Sequence, residues 1–374
     1  MKPSNRLPPS AEKAQQQART VSRDGGDRCR ATIIIVNYNG QGHLDRAIRS
    51  LGEDSRWPYE VILVDNGSSD GSAQYVAARY PDVRLIQSRA NLGFGAANNR
   101  AASQAKGEYL AFLNPDTEAE PGWLEGLIGA LEERPDVGLA TAQVLLMHDP
   151  GRINACGNDI HLTGFTMCRS LGTERQFGGA HIEVASVSGA AFAMRRDLFE
   201  ALGGFDESFF LYMEDTDLSL RARLAGYRCF CIPSSVVYHD YRLCFGPRKT
   251  YYQERNRYAM LLKTFHWLTL LLLAPALVLG ELVAWGFVLL YEPQRLGNKA
   301  RAYAWILRRW RTLMQDRQGT QQLRRARDRD LLRVSAYQLD YRQVDNGLRG
   351  RVAGLALDPI FYILHRLVLG AVRW

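Results

Sequence analysis

Between Ala31 and Glu133 the apolar residues come in short continuous runs that stop at Asn, Asp or Gly, and each run is followed by residues with helical spacing. "ATIIIVNYNG" reads as a strand and "GHLDRAIRSL" as the helix after it; "YEVILVDNGSSDGS" repeats the arrangement, with the next helix over Ser72 to Tyr80. "VRLIQS" and "GFGAANNRAASQA" form a third unit, and "YLAFLNPDT" and "GWLEGLIGALEE" a fourth. Continuous apolar strands alternating with helices predict a mostly parallel sheet covered on both faces. Ligands of such sheets bind beyond the carboxyl ends of the strands, and Asn37, Asp65, Asn91 and Asp116 all stand at or just after those ends.

The pattern then changes. Residues 139 to 195 alternate short strands with many glycines, and "FDESFFLYMEDTDLSLRARLAGY" leads into a helix from about Glu214 to Ala225, closed by Gly226. "CFCIPSSVVYHD" predicts two short strands, the second ending at His239. Beyond Arg257 the composition is that of a membrane-associated segment. "WLTLLLLAPALVLGELVAWGFVLLY", Trp267 to Tyr291, has the length of a span, but Pro275, Gly280 and Glu281 in its middle favour a kinked pair of helices lying in the membrane face. "RLGNKARAYAWILRRWRTLM" and "DPIFYILHRLVLGAVRW" are amphipathic candidates for the membrane interface. A helical hairpin packed on the preceding domain accounts for the same pattern.

Charge sharpens this division. The chain of 374 residues has a net charge of +8, yet Arg295 to Arg333 alone holds 12 Lys/Arg against 3 Asp/Glu. The remainder is close to neutral, which argues against a nucleic-acid surface and for one basic segment facing anionic lipid. The six cysteines lack C-x-x-C or framework spacing, so reduced thiols in a cytoplasmic protein are expected. Residues 1–30 are polar, with no apolar core of a signal peptide, and are expected to be a disordered arm.

Each polar strand end has a plain structural explanation beside a chemical one. Asp65 and Asp116 fit turns or caps; as two acids on one sheet edge they also suit a nucleotide, Asp65 accepting from base or ribose and Asp116 holding a divalent cation against a diphosphate. His239 fits a half-buried strand end, or a second ligand to that cation, imidazole suiting Mn2+ better than Mg2+. Glu214 and Asp215 lie where carboxylates favour a helix N-terminus, and one of them could instead serve as a general base. Asp217 and Arg221, four apart, predict an ordinary ion pair.

Taken in order, "IIIVNYNG", "ILVDNGSSDGS", "NLGFGAANN", "FLNPDT", "SGAAFAMRRDLFEALGGFDESFFLYMEDTDLSLRARLAGY" and "VVYH" resemble the inverting glycosyltransferase family 2, particularly its rhamnosyltransferase-like bacterial members. The resemblance implies a GT-A fold, a Rossmann-like mixed α/β sheet flanked by helices, over 31–263, followed by membrane-associated helices over 264–374. It implies that Val36, Asn37, Tyr38, Asn39 and Asp65 bind the nucleotide and that Asn91, Gly93 and Asn98 shape the donor pocket. Asn114 would face the ribose or metal shell, with Asp116 as metal ligand and His239 reaching the metal or diphosphate. Asn-Pro-Asp stands where many members have Asp-x-Asp, so the first acid of that motif is missing. Gly189 and Ala190 would lie under sugar and acceptor, and Asp215 would be the base with Glu214 beside it.

The implied reaction moves a sugar, by likeness rhamnose from dTDP-rhamnose, from a nucleotide-diphosphate donor to a lipid-linked or glycan acceptor in bacterial surface-polysaccharide assembly, with Mg2+ or Mn2+ as cofactor. The expected location is the cytoplasmic face of the inner membrane, peripheral or monotopic, with a single span over 267–291 as the alternative. Arg255 and Arg257 in "YYQERNRYAM" are candidates to touch the donor or a lipid-linked diphosphate, or else belong to a solvated helix face. A polyprenyl-phosphate glycosyltransferase, whose phosphate acceptor needs no base, and an inactive sugar- or lipid-binding scaffold are the competing readings.

Overall fold

The computed structural model describes residues 29–52, 57–241, 248–343 and 347–374. The expected N-terminal arm, apart from its last two residues, and Cys244 lie outside these. The predicted alternation is present: β1 (Ala31–Asn37), α1 (Gln41–Leu51), β2 (Tyr59–Asp65), α2 (Ser72–Arg79), β3 (Arg84–Gln87), α3 (Phe94–Ala102), β4 (Tyr109–Leu113), β5 (Thr117–Ala119) and α4 (Trp123–Glu133). All seven residues of β1 are buried, because its two faces supply two separate cores. Ile33 and Ile35 point to the layer that holds Leu44 and Ile48 of α1, Val76 of α2 and Leu127 of α4. Ile34 and Val36 point to the opposite layer, with Ala97 and Ala101 of α3. Each buried Ile or Leu contributes roughly 1.5–3 kcal/mol, so neither face tolerates a register slip.

The chain continues through β6 (Val137–Leu146), β7 (Asp149–Cys156), the hairpin of β8 (Asn158–Ile160) with β9 (Thr166–Cys168), β10 (Ile182–Val184), β11 (Ala191–Arg195), α5 (Arg196–Ala201), α6 (Glu214–Leu224) and β12 (Arg228–His239). The main sheet runs β10-β12-β6-β11-β4-β1-β2-β3, with β5 on β12 and β7 on β6. β4, β1, β2 and β3 are parallel, whereas β11 runs antiparallel to both β4 and β6. It is therefore a mixed sheet, as the resemblance implied. The two short strands predicted around Pro233 are one strand, β12, whose pairing with β6 shifts register between Ile232 and Val236. A bulge there absorbs the proline, which has no N–H to donate. The Asp217–Arg221 pair is present at 2.8 Å but buried, and Arg221 also donates to the carbonyls of Leu202 and Gly204. It fastens α6 into the core, a heavier role than a surface pair has.

Helices make up the rest: α7 (Lys249–Thr264), α8 (Trp267–Tyr291), α9 (Leu296–Arg308), α10 (Trp310–Gln322), α11 (Asp328–Arg333) and α12 (Leu348–Ala371). The expected kinked pair over Trp267–Tyr291 is one helix of 25 residues with Pro275 inside it. The predicted single basic helix is two, α9 and α10, parted at Arg309. Both α8 and α12 are long and apolar enough to cross a membrane. Yet α8 is tied to the rest of the chain along its length. At its start His266 N donates to Asp328 at 2.8 Å, at its middle Glu281 pairs with Arg257 and Lys299, and just past its end Glu292 accepts from Thr250. A stripe of Thr269, Leu273, Ala276, Gly280, Ala284 and Val288 is buried, while Leu271, Val278, Leu282 and Leu289 are exposed.

Candidate active site

The strand ends that sequence reasoning singled out converge on one end of the sheet. Asn37 and Asp65 are register partners across β1 and β2, and Asn37 Nδ2 donates to Asp65 Oδ1 at 3.4 Å and to Ser68 Oγ at 3.2 Å. Asn39, with φ 54°, accepts from Ser69 N at 2.8 Å, and Tyr38 beside it is exposed. Val36 is packed in the core, so only its backbone faces this edge. Asn91 Oδ1 accepts from Gly93 N at 2.9 Å and from Asn66 Nδ2 at 3.1 Å. Asn66, which no motif reading named, thus organises the loop over Asn91–Gly93. Asn98 is turned inward and donates to the Phe94 carbonyl at 2.9 Å, a place inside α3 and not on the crevice.

At the end of β4, Asn114 N donates to Ala190 O at 2.9 Å. Pro115 then turns the chain, and Asp116 faces His239 across 3.3 Å, Oδ1 to Nε2. The other imidazole nitrogen, Nδ1, is engaged with Asn154 Oδ1 of β7 at 2.8 Å, which fixes the ring and leaves Nε2 toward Asp116. Burial raises the Asp116 carboxyl, but the nearby His239 imidazole outweighs it and holds the group below its ordinary value. Asp116 Oδ1 is buried without a hydrogen-bond partner, and so is His43 Nδ1. Both residues line a cavity of about 480 Å3 with His239, Asp240 and Tyr241.

A divalent cation fits these residues. Cis ligands of an octahedral ion at about 2.1 Å lie roughly 3 Å apart, close to the Asp116–His239 separation, and Asp116 presents an oxygen with no hydrogen-bond partner. Among the described residues no set of three His, Cys, Asp or Glu side chains converges for a metal. Asp116 and His239 would then be two of its ligands, leaving the remaining positions to phosphate oxygens and water.

The acid pair opens α6. Asp215 accepts on both oxygens: Oδ2 from Gly189 N at 2.8 Å and from Asn158 Nδ2 at 3.2 Å, Oδ1 from Thr216 N at 2.7 Å. Burial raises its carboxyl above the ordinary range, while these donors pull the other way by stabilising the ionised form. Glu214 lies deeper, with Oε2 lacking a partner; burial first, and the charge of Asp215 second, push it up to about 8. Of the two coupled acids, Glu214 is the one that more readily keeps a proton, and Asp215 the one whose charged form is stabilised by donors. Asn158, at the start of β8, was invisible to motif reading because its partner lies 57 positions away. Gly189 leaves little room for a side chain, since an added Cβ would sit 3.1 Å from Asp215 Oδ2 and push that carboxylate aside by a few tenths of an ångström.

Arg255 and Arg257 are neither solvated nor on the crevice. Arg255 donates to the carbonyls of Ser208 and Phe209 at 2.6 and 2.8 Å. Arg257 is buried between Glu254 and Glu281 at 3.0 and 2.8 Å. Both guanidiniums are bound within the protein, which removes the expected contact with donor or acceptor.

Residues 32–203 match the glycosyl transferase family 2 model. An N-acetylglucosaminyl-diphospho-decaprenol L-rhamnosyltransferase of Mycobacterium tuberculosis is 33% identical over 232 residues, 55% of this chain and 75% of that protein. The O-antigen chain rhamnosyltransferase WbaN of Salmonella anatum is 27% identical over 232 residues, 61% of this chain and 69% of its own. Among solved structures, S. aureus TarS 1-349 in complex with UDP-GlcNAc superposes with a TM-score of 0.53 at 16% identity, over 91% of each chain. GalNAc-T7 with UDP, GalNAc and Mn2+ gives 0.52 at 16% identity, over 68% of this chain and 57% of that one. The likeness to these structures is one of fold, and the fold is GT-A.

Proposed function

The chain belongs to glycosyltransferase family 2, and from that premise we propose that it transfers one sugar, with inversion, from a nucleotide-diphosphate donor to a hydroxyl of a lipid-linked or glycan acceptor in bacterial surface-polysaccharide assembly. One observation carries this reading. The dipeptide Gly189–Ala190 is bonded on one side to Asn114, at the turn that presents Asp116, and on the other to Asp215. The turn that presents the diphosphate-side acid and the base-side acid are thereby tied to the two ends of one dipeptide, which supports their acting on one bound donor.

In this mechanism Asn37, Tyr38, Asn39 and Asp65 hold the nucleotide, and the Asn91–Gly93 loop closes the donor side. Asp215 removes the proton of the acceptor hydroxyl, whose oxygen attacks the anomeric carbon as the bond to the nucleoside diphosphate breaks. Gly189 N and Asn158 hold the carboxylate still through the transfer, and neutral Glu214 adds no second charge beside the incoming oxygen. A cation held by Asp116 and His239 would offset the charge of the leaving diphosphate. A base with this many fixed donors favours a hydroxyl acceptor over a phosphate acceptor, which needs no proton removed. The donor sugar proposed from the relatives' names is rhamnose.

The same proposal places the enzyme against the cytoplasmic face of a membrane. Of the 20 large hydrophobic side chains exposed among the described residues, 17 lie at or beyond Trp267. The ties of α8 at both ends and in the middle support its lying along the membrane surface over its crossing it. The test is release of nucleoside diphosphate from a panel of UDP-, dTDP- and GDP-sugars, with Mg2+ or Mn2+ and a bacterial lipid extract. Release that depends on lipid and on Asp215 is expected; no release from any donor overturns the reading.

A further inference from the structure

Immediately before the acid pair the chain passes through a strained strap. Phe210, Tyr212 and Met213 have φ of 63°, 68° and 69°, and none is a glycine. Phe210, with ψ −56°, forms a γ-turn closed by Leu211 N donating to Phe209 O at 2.7 Å. Positive-φ γ-turns are rare and strained for residues with a side chain, and such geometry persists only where surrounding groups hold it.

The holder is α7. Asn256 Nδ2 lies 3.1 Å from Phe209 O, 3.0 Å from Leu211 O and 2.8 Å from Tyr212 O, so one amide spans the whole turn. Arg255 Nη2 adds bonds to the carbonyls of Ser208 and Phe209. Neither side chain lines the crevice, and Asn256 is fully buried. From the other side Phe94 N donates to Phe210 O at 2.7 Å, and an added Cβ on Gly93 would come within 2.5 Å of that oxygen. The strap therefore runs from the donor loop directly into Glu214 and Asp215. The helix that holds it is itself immobilised from the C-terminal helices, by Lys299 of α9 on Glu254 and by Glu281 of α8 on Arg257, each at 2.8 Å.

We propose that Asn256, supported by Arg255, is the positioning residue of the acid pair: its amide keeps the strap over 208–213 in the one conformation from which Asp215 faces the acceptor. The apolar helix α8 and the basic helix α9 reach the reaction through this contact. The chemistry in this inference rests on the glycosyl-transfer reading; the geometry does not.

Asn256→Ala in the full chain tests it by two readouts. Hydrogen exchange of peptides over 208–216 is expected to rise about tenfold, with peptides over 31–37 and 109–113 unchanged. The kcat for nucleoside diphosphate release from the donor that wild type uses is expected to fall roughly 100-fold, with the donor KM within about threefold. Adding Tyr212→Gly, which takes a positive φ without strain, should restore about tenfold of that loss. Unchanged exchange at 208–216, a kcat loss matched by a KM rise, or no recovery with the glycine overturns the proposal. If Asn256→Ala does not fold, Arg255→Lys takes its place, with exchange at 208–216 rising about threefold; no rise overturns it. A wild type inactive with every donor sinks the transfer reading instead, and the exchange experiment still decides the positioning.

Discussion

Two groups of carboxylates divide this molecule. In the crevice, Asp116 and Glu214 each keep a buried oxygen without a hydrogen-bond partner, and Glu214 is pushed up to about 8. In the helical region, Glu281 is met by Arg257 at 2.8 Å, Lys299 at 2.6 Å and the hydroxyls of Tyr258 and Tyr303. Burial raises its carboxyl, but Lys299 and the tyrosines prevail and lower it to about 2. Glu254 is likewise shared by Arg257 and Lys299. The difference separates function from architecture better than burial does: a saturated acid clamps helices together, whereas an acid left with spare capacity can take a cation or a proton.

The comparison breaks most visibly if the crevice acids can be neutralised without cost. Asp215→Asn is expected to lower kcat roughly 1000-fold with little change in thermal stability, since the amide keeps an oxygen for Gly189 N; steady-state kinetics and a melting curve decide it. Asp116→Ala should abolish Mn2+ binding in the presence of UDP, read by electron paramagnetic resonance, and reduce transfer about 100-fold or more. Asn114→Asp, one residue before Pro115, should stay within about threefold of wild type, and a large loss there would mean that the turn needs a neutral amide.

The helical acids should behave in the opposite sense. Glu281→Leu leaves buried cations short of a partner and is expected to cost about 3 kcal/mol in denaturant unfolding, while enzyme still folded keeps its donor KM. Glu214→Gln probes stability through pH. The folded carboxyl binds its proton up to about pH 8, whereas the unfolded one releases it near 4.5, so wild type loses stability as pH rises through that window. The variant should therefore melt about 5 °C higher than wild type at pH 9 and show no such advantage at pH 4. The smallest effect is expected on the exposed stripe. Leu271→Ser and Leu282→Ser should change stability by less than about 0.5 kcal/mol yet weaken binding to vesicles of anionic lipid about tenfold.

Much of this was legible before any coordinates. The β1–α1 to β4–α4 alternation announces itself because β1, β2 and β4 are continuous apolar runs, and Asn37, Asp65 and Asp116 stand where apolar runs stop. Asn158, Asn154 and Asn66 were not legible, because a single asparagine, in a strand or a loop, adds nothing to the hydrophobic periodicity and its partners lie far along the chain. Arg255 and Arg257 misled for the related reason that a cation's partner is not written beside it. Likewise Pro233 read as a strand break and Pro275 as a helix break. In the folded chain a bulge absorbs the first, and packing carries α8 through the second at the loss of one ladder hydrogen bond.

The amino-acid sequence by itself determined the layered α/β sheet, the family and the identity of the acids at its edge, since these follow from local periodicity and from motifs read in order. Tertiary structure alone decided which charges are saturated and which are not. It also decided that α8 lies along the protein instead of leaving it, and that Asn256 holds the turn before Asp215. Hydrophobic pattern acts within one element and survives in the linear text; hydrogen bonds and ion pairs between distant elements exist only once packing has excluded water and set the partners within about 3 Å.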